Sequence, residues 1–343
     1  MNTRTAEVHA PVTSRQNPVT RPELTRVPLV AEEIAPGDQP TSPPPGRYVE
    51  LPAASEADEA SLYLRETDGP PGAPTAVHLH GLAGSSANWT ELAAMMSGEL
   101  RSIAVDLPGF GFSAPPHEFG FTREANAARV IRLLAELGTG PVHLSGNSFG
   151  AAVAIEIAVQ RPDLVSSLTL ISPAMPDLRP DPRRLSDPRL ALALLPVVGR
   201  PARRAMARLS PQQRVEQLLE LCFAEPAEVP RHKVLEVAAE FAERSALPWA
   251  GPALARTTIE LGRSWLRPPS RSLWRLLPEI HSRSLVVWGN EDKVVSVRKA
   301  PRTAMSLPHG KLLVLPRTGH VAQMERPGMV ARAMLGMLRA QTW

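Results

Sequence analysis

The chain has 343 residues, of which 43% are hydrophobic and 21% charged, as in a globular protein with a sizeable core. No segment approaches the roughly 18 apolar residues that a membrane-spanning helix needs, and no basic segment followed by an apolar run opens the sequence. The composition therefore predicts neither a membrane span nor a secretory signal, and we expect a cytoplasmic protein. It leaves open whether the chain forms a homo-oligomer.

The single cysteine, Cys222, cannot form a disulfide within the chain, which fits a reducing compartment. Its neighbours Leu218, Leu219 and Phe223 are apolar. We therefore interpret Cys222 as a packed core thiol rather than a reactive one.

The formal net charge of +4 is unevenly distributed along the sequence. Residues 174–283 contain 18 Lys and Arg against 12 Asp and Glu, so the positive excess lies wholly in this segment. Its arginines are scattered, with neither a basic run nor interleaved aromatic residues. This pattern favours a solvated helical surface over a nucleic-acid partner, and steering of an anionic substrate is the alternative.

The first 45 residues combine Pro, Thr, Ser, Glu and Arg without apolar periodicity and end in the proline-rich stretch 40–45. Such a composition cannot repay the entropy of ordering, so residues 1–45 are predicted to form a disordered tail. Two short strands are predicted after it, at 47–51 and 61–67.

From residue 75 onward, apolar strands alternate with amphipathic or apolar helices, a pattern typical of a parallel sheet with crossover helices. Strands are predicted at 76–80, 103–105, 142–145, 168–172, 284–288 and 311–315. Helices are predicted at 89–96, 124–137, 151–160 and 321–337.

The segment 173–283 interrupts this alternation with helical patterning. Within it, Ser210 before Pro211 predicts the start of one helix. Two apolar faces at helical spacing follow, formed by Val215, Leu218, Leu219 and Cys222, and by Leu235, Ala238, Ala239 and Ala242. We interpret the segment as a helical cap over the edge of the sheet where substrates bind. The core is then formed by 46–172 and 284–343.

The pentapeptide Gly146-Asn147-Ser148-Phe149-Gly150 stands between a predicted strand and a predicted helix of small residues. This is the pattern of a nucleophile elbow, in which a sharp turn presents a serine hydroxyl to the cleft. Glycines two positions either side are needed because side chains there would collide with the neighbouring strand and helix. Ser148 is the predicted nucleophile.

A serine hydroxyl needs a base, and the imidazole of that base must be oriented by a carboxylate. His320 follows the last predicted strand, and Asp292 follows the strand before it. The Gly-x-x-Asp spacing from Gly289 favours Asp292 over its neighbour Glu291, a solvated turn residue. The chain order Ser, Asp, His is the order that this elbow type requires.

An oxyanion formed during acyl transfer needs two preorganised donors. The amide of Phe149, directly after the nucleophile, is the first candidate. The second is the amide of Leu82, which follows His80-Gly81 in a glycine-rich loop. We interpret His80 itself as structural.

Together with Asp106-Leu107-Pro108-Gly109-Phe110-Gly111-Phe112-Ser113, these segments resemble the α/β-hydrolase superfamily over about residues 47–172 and 284–341. The resemblance implies an α/β fold with a mostly parallel eight-stranded sheet flanked by helices, and a helical cap inserted after the sixth strand. It also implies a Ser148-Asp292-His320 triad, and an oxyanion hole formed by the Leu82 and Phe149 amides. The chemistry of this set requires neither a metal nor an organic cofactor.

These features predict a serine hydrolase that cleaves an ester or related acyl bond of a small to medium hydrophobic substrate. Apolar residues of the cap are predicted to line its substrate pocket, namely Leu194, Leu195, Trp249, Leu254 and Trp265. The alternative is that these residues only pack the cap.

Several alternatives stay open at this point. Cap-bearing members with Gly-Asn-Ser-x-Gly elbows include carbon-carbon bond hydrolases of aromatic ring-cleavage products, although Gly150-Ala151 stands here where those enzymes commonly have Gly-Gly. Thioester hydrolysis is a further alternative. A non-catalytic ligand receptor on the same fold is disfavoured by the complete triad. Serine at position 148 argues against the dehalogenase and epoxide hydrolase branches, which use aspartate.

Overall fold

The structure is a computed structural model that describes residues 27–32, 34, 42–52, 59–177, 209–268, 270 and 272–343. Eight strands form one sheet: β1 (Gly46–Leu51), β2 (Ala60–Thr67), β3 (Thr75–Leu79), β4 (Arg101–Val105), β5 (Val142–Asn147), β6 (Val165–Ile171), β7 (Arg283–Gly289) and β8 (Gly310–Leu315). The α-helices of the described residues are α1 (Thr90–Met96), α2 (Arg123–Leu137), α3 (Phe149–Gln160), α4 (Pro211–Cys222), α5 (Arg231–Ser245), α6 (Ala250–Trp265), α7 (Leu273–Leu276), α8 (Ala300–Met305), α9 (Ala322–Glu325) and α10 (Pro327–Arg339).

The spatial order of the strands is β1-β2-β4-β3-β5-β6-β7-β8. The pairs β1/β2 and β2/β4 are antiparallel, and every other neighbouring pair is parallel. The predicted mostly parallel eight-stranded sheet is therefore confirmed. The parallel strands contain near-continuous apolar runs because helices cover both of their faces.

The register of the parallel strands brings their carboxyl ends to one edge of the sheet. The paired residues near these ends are Leu79 with Gly146, Asn147 with Ile171, Ile171 with Val287, and Gly289 with Leu315. The loops that follow β3, β5, β7 and β8 consequently lie side by side. Ligands of doubly wound sheets bind at this edge.

Helices α2 and α3 cover one face of the sheet, whereas α1 and α10 cover the other. Helix α3 is buried from Phe149 to Ala158, as expected for a helix that is apolar on all sides. Its one charged residue, Glu156, accepts a hydrogen bond from Arg123 Nε at 2.5 Å, so that the buried carboxylate is paired. Three of the four predicted helices of the core, α1, α2 and α3, are thus present with small shifts of their ends.

The last predicted helix, 321–337, is divided into two helices, α9 and α10. Proline disfavours helical backbone at the preceding residue, and Arg326, before Pro327, has φ −135° and ψ 54°. The chain therefore bends sharply after α9. This bend positions the short helix beside the loop that follows β8.

Most of the predicted disordered tail lies outside the described residues, namely 1–26, 33 and 35–41. Residues 27–32 lie against α10, where Val30 N donates to Arg332 O at 3.2 Å and Arg332 Nε donates to Val30 O at 2.7 Å. Val27, Val30 and Ile34 add their side chains to the core beneath α10. Composition alone gives no sign of these contacts, in which Val30 is buried and Val27 and Ile34 are partly buried.

Helices α4, α5 and α6, hereafter the inserted helices, stand between β6 and β7 in the chain, after residues 178–208, which lie outside the described part. Ser210 caps α4 by accepting from Gln213 N at 3.1 Å, while Gln213 Oε1 accepts from Ser210 N at 2.9 Å. In α6, Ala253 packs against Phe119 and Phe121 of the loop after β4. Within the described residues, no helix is both long enough and apolar enough to cross a bilayer.

Candidate active site

Ser148 lies at the turn between β5 and α3, in a backbone conformation with φ 54° and ψ −112°. A non-glycine residue held there costs on the order of 1–3 kcal/mol, so the surrounding structure must enforce it. Three backbone hydrogen bonds do so: Ser148 N donates to Ile171 O at 3.0 Å, and Ser148 O accepts from Ala152 N at 3.2 Å and Ala174 N at 3.1 Å. The predicted nucleophile is thus fixed in an elbow and is 8% exposed.

The two glycines of the pentapeptide stand where no side chain fits. A Cβ added to Gly146 would lie 2.5 Å from the Gly150 carbonyl carbon, and one added to Gly150 would lie 2.3 Å from Leu79 O. The reason for the Gly-x-Ser-x-Gly spacing is therefore steric, as predicted.

The proposed base and the carboxylate that would orient it are hydrogen bonded: His320 Nδ1 lies 2.9 Å from Asp292 Oδ2. The Asp292 side chain is fully buried, and its second oxygen accepts from Val294 N and Val295 N, each at 2.8 Å. Because the carboxylate accepts, His320 carries its proton on Nδ1, which leaves Nε2 as the acceptor. The structure thus brings together two residues that are 28 positions apart in the chain.

Asn147, the residue before the nucleophile, connects the elbow to the histidine loop. Its Nδ2 donates to His320 O at 3.0 Å and to Ile171 O at 3.2 Å. The sequence alone predicts no role for Asn147. Its place inside the elbow motif was the signal, but nothing in the sequence identifies an acceptor 173 residues away.

The loop after β3 supplies the second predicted oxyanion donor, Leu82. A Cβ added to Gly81 would lie 3.2 Å from Ser148 Cβ, so this loop runs directly beside the nucleophile. The other predicted donor, the amide of Phe149, belongs to the first turn of α3, where an N–H group has no partner within the helix. Both amides therefore belong to backbone that borders Ser148.

His80 is buried and holds two loops together. Its Nδ1 donates to Gly81 O at 2.7 Å, and its Nε2 accepts from Leu107 N at 3.0 Å. Burial lowers the pKa of His80 from 6.5 to about 4, so the ring is neutral at physiological pH. These contacts agree with the structural role that the sequence predicts.

Asp106 joins the loop after β4 to the loop after β3. Its Oδ1 accepts from Ser86 N at 2.5 Å and its Oδ2 accepts from Phe112 N at 2.8 Å. Burial raises the pKa of this carboxyl group, and the hydrogen bonds from the two amides oppose the shift. The acidic residue of the Asp-Leu-Pro-Gly segment thus has a structural function.

Helix α5 contacts the loop of the proposed oxyanion donor through Arg244. The guanidinium donates to Gly84 O at 3.0 Å and is paired with Glu240, with 3.3 Å between Nε and Oε1. Glu240 also accepts from Ser85 Oγ at 2.7 Å and from Arg65 Nη2 at 3.0 Å. Burial lowers the pKa of Arg244, and the Glu240 charge opposes this. One of the inserted helices is therefore bonded to the loop that borders Ser148.

Helix α4 ends against the other side of the site. His320 N donates to Cys222 O at 2.6 Å, and Lys293 Nζ donates to Glu220 O at 2.9 Å. Burial, aided by the nearby Asp292 charge, raises the pKa of the Cys222 thiol to about 12. The thiol therefore stays protonated, in agreement with its interpretation as a packed residue.

The residues predicted to line an apolar pocket are only partly accounted for. Leu194 and Leu195 lie outside the described residues. Trp249 and Trp265 are half-buried, whereas Leu254 is 37% exposed and lies on the outer side of α6. Leu254 was predicted from its apolarity alone, and the buried side of that helix instead contains Ala253, Thr257 and Ser264.

A cavity of about 320 Å³ lies between α4, α5 and the core. Its walls include Phe223, Val237 and Met324, and the residues lining it do not include Ser148 or His320. We therefore assign it no part in the reaction.

Known proteins of similar sequence identify the family to which this fold belongs. Residues 74–327 match the family model described as the α/β-hydrolase fold. The chain belongs to that family, and it is a hydrolase of it.

Three similar proteins illustrate the range of the family. The dihydrolipoyllysine-residue acetyltransferase component of the acetoin cleaving system from Pseudomonas putida is 32% identical over 84% of this chain and 70% of its own length. A 2-hydroxy-6-oxononadienedioate/2-hydroxy-6-oxononatrienedioate hydrolase from Burkholderia vietnamiensis is 25% identical over 82% of this chain and 93% of its own. The crystal structure of a bacterial membrane phospholipase A superposes with a TM-score of 0.68 at 25% identity, covering 86% of this chain and 87% of its own.

Proposed function

We propose that this protein is a serine hydrolase that cleaves a carboxylic ester, or a related acyl bond, of a small to medium hydrophobic substrate. The single observation that carries the proposal is the hydrogen bond of 2.9 Å between His320 Nδ1 and Asp292 Oδ2, at the sheet edge where Ser148 occupies its elbow. An imidazole held in this tautomer has Nε2 free to take the serine proton.

In the first half of the proposed reaction, Ser148 Oγ attacks the substrate carbonyl while His320 Nε2 takes the hydroxyl proton. The tetrahedral oxyanion accepts hydrogen bonds from the Leu82 and Phe149 amides. The carbon-oxygen bond to the alcohol then breaks, and the His320 imidazolium returns its proton to the departing oxygen. The products of this half are an acyl ester on Ser148 and a free alcohol.

In the second half, water attacks the acyl ester and gives its proton to His320 Nε2. Collapse of the second tetrahedral intermediate breaks the bond to Ser148 Oγ, which takes the proton back from His320. The acid is released and the enzyme is restored. Throughout, Asp292 orients the imidazole and stabilises its protonated form.

Carbon-carbon bond hydrolysis is the second candidate function. The relative from Burkholderia vietnamiensis, similar over 93% of its own length, has a name that specifies hydrolysis of a 2-hydroxy-6-oxo dienedioate or trienedioate. The name of the membrane phospholipase A favours ester cleavage instead. We rank ester cleavage first because Gly150-Ala151 stands where carbon-carbon hydrolases commonly have Gly-Gly.

A substrate panel separates these candidates. Purified protein is assayed with p-nitrophenyl esters of graded acyl length, and with a 2-hydroxy-6-oxo dienoate of the ring-fission type. The proposal expects saturable release of p-nitrophenol that falls by at least about a thousandfold in Ser148→Ala. Cleavage of the dienoate with every ester untouched would overturn the ester assignment in favour of the second candidate.

The relative from Pseudomonas putida is named an acetyltransferase, so the acceptor of the acyl group also needs a test. Dihydrolipoamide is added to the p-nitrophenyl acetate assay, and both products are measured. The proposal expects acetate as the main product with and without the thiol. Stoichiometric S-acetyl dihydrolipoamide formed by wild type, beyond what the direct reaction of the thiol with the ester gives in Ser148→Ala, would instead identify an acyltransferase.

The proposed organisation assigns 46–172 and 284–343 to the hydrolase core and 173–283 to a helical cap. Contacts of α4, α5 and α6 with the loops after β8, β3 and β4 support a cap over the carboxyl edge of the sheet. We also propose a cytoplasmic location, on the basis of the composition and the single cysteine. Fractionation of the producing cells checks the location.

A further inference from the structure

Glu325, at the end of α9, has an unusual set of hydrogen-bond partners. Its Oε2 accepts from Gly319 N at 2.6 Å, and its Oε1 accepts from Ala224 N at 2.8 Å and Glu225 N at 3.1 Å. One carboxylate thereby satisfies three backbone donors from two segments that are almost a hundred residues apart. Hydrogen bonds from backbone N–H groups to a carboxylate are among the stronger ones in proteins.

The two segments that Glu325 joins are both close to the proposed reaction centre. Gly319 directly precedes His320, and Ala224 follows the end of α4. A further bond runs in the opposite direction, from His320 N to Cys222 O at 2.6 Å. Two connections therefore join the histidine loop to the end of α4. One runs from Gly319 N through the Glu325 carboxylate to Ala224 N, and the other runs directly from His320 N to Cys222 O.

We propose that Glu325 is a positioning residue for the reaction, which fixes the backbone of the histidine loop and couples it to the inserted helices. This inference rests on the proposed function, since it needs His320 to act as the base. Asp292 orients the imidazole ring, and Asn147 holds the His320 carbonyl group. Glu325 holds the backbone N–H of Gly319, the residue before His320. The three contacts together leave the ring little freedom relative to Ser148.

The chemical requirement at position 325 is an acceptor at both side-chain oxygens. In Glu325→Gln, one oxygen is replaced by an NH₂ group, which can only donate. Whichever way the amide is oriented, at least one backbone N–H loses its acceptor and faces another donor. The variant has nearly the same shape as the wild type, so it tests the hydrogen bonds rather than the packing.

The test compares steady-state kinetics of wild type, Glu325→Gln and Glu228→Gln with the best p-nitrophenyl ester, together with thermal melting. Glu228 is the matched control because it lies in the segment after α4 and its side chain is 63% exposed. Its Oε2 lies 3.7 Å from Arg326 Nη1. We expect Glu325→Gln to lower kcat about tenfold or more with KM within about twofold, because a misplaced base costs rate while substrate contacts persist. Glu228→Gln should retain the wild-type kcat.

A wild-type kcat in Glu325→Gln, or an equal loss in Glu228→Gln, would overturn the inference and leave the proposed function standing. A wild type that cleaves no substrate and binds no serine-directed probe would overturn both. If Glu325→Gln does not fold, amide hydrogen exchange of the wild type decides. Gly319 and Ala224 are expected to exchange at least about a hundredfold more slowly than in an unfolded chain, and unprotected amides would overturn the inference.

Discussion

The side chain of Asn147 donates a hydrogen bond of 3.0 Å to the carbonyl oxygen of His320. The residue beside the proposed nucleophile thus fixes the backbone of the proposed base, although 173 positions separate the two. Because the same Nδ2 also donates to Ile171 O, the elbow, β6 and the histidine loop meet at one buried amide group. The geometry of the site is therefore set by backbone anchors as well as by the reacting side chains.

Asn147→Ala is expected to lower kcat about tenfold with a smaller effect on KM. The substitution leaves the His320 carbonyl without this donor, so the imidazole is held less firmly relative to Ser148. Steady-state kinetics with a p-nitrophenyl ester checks this. Asn290→Ala, at an exposed asparagine two positions before Asp292, is the control and should retain the wild-type kcat. An unchanged kcat in Asn147→Ala would contradict the role assigned to this amide.

Gly150→Ala is expected to lower the free energy of unfolding by more than about 2 kcal/mol, since its Cβ would lie 2.3 Å from Leu79 O in a backbone that has no room to relax. Gly262→Ala, in α6, is the matched control. A Cβ there meets nothing within 4 Å, so the substitution should stabilise by roughly 0.5–1 kcal/mol through helix propensity alone. Urea denaturation of the two variants measures both effects, and equal changes would contradict the steric argument.

Arg244→Met is expected to destabilise the protein by about 3 kcal/mol, because it leaves Glu240 buried with fewer partners and removes a donor from Gly84 O. The two side chains are only 12% and 16% exposed. Arg263→Met is the control: Arg263 pairs with Glu260, three positions before it in α6, but its side chain is 69% exposed, so we expect a change below about 1 kcal/mol. Similar losses of unfolding free energy in the two variants would show that the buried pair contributes no more to stability than the exposed one.

Acid should destabilise the protein through its buried histidines. Burial lowers the pKa of His78 from 6.5 to about 3, while the unfolded chain retains the ordinary value. The stability that depends on neutral His78 is therefore fully present above pH 6.5. The free energy of unfolding decreases as the pH falls from there toward about 3, because the unfolded chain binds the proton first. In His78→Phe the ring can still stack on Trp89 but cannot bind a proton. The slope of the unfolding free energy against pH, between about pH 6 and pH 4.5, should therefore decrease by up to about 1.4 kcal/mol per pH unit. Denaturation curves across this range give the slope, and an unchanged slope would contradict the prediction.

The sequence predicts most of the core because local signals agree there. The elbow glycines stand between an apolar strand and a small-residue helix, and the order of Ser148, Asp292 and His320 fits one fold. The hydrogen bond between His320 and Asp292 supports the roles that we propose for them. The strand, elbow and helix signals each depend on a short stretch of chain, and the pairing of His320 with Asp292 is expected from the chain order that the fold requires.

What the sequence does not predict depends on contacts between distant segments. Glu325 resembles any polar residue of a last helix turn, and only the fold brings Gly319 and Ala224 to its carboxylate. Val30 lies in a proline-rich stretch whose composition indicates disorder, yet it pairs with Arg332, 302 positions later. The break before Pro327 carried a local signal, because proline restricts the preceding residue.

Covalent labelling shows whether Ser148 is the nucleophile and whether His320 activates it. Wild type, Ser148→Ala and His320→Asn are incubated with a fluorophosphonate, and intact masses and peptide maps are measured. We expect one adduct per wild-type chain, located on Ser148, no adduct in Ser148→Ala, and much slower labelling in His320→Asn. An unlabelled wild type, or labelling that persists in Ser148→Ala, would show that Ser148 is not the nucleophile.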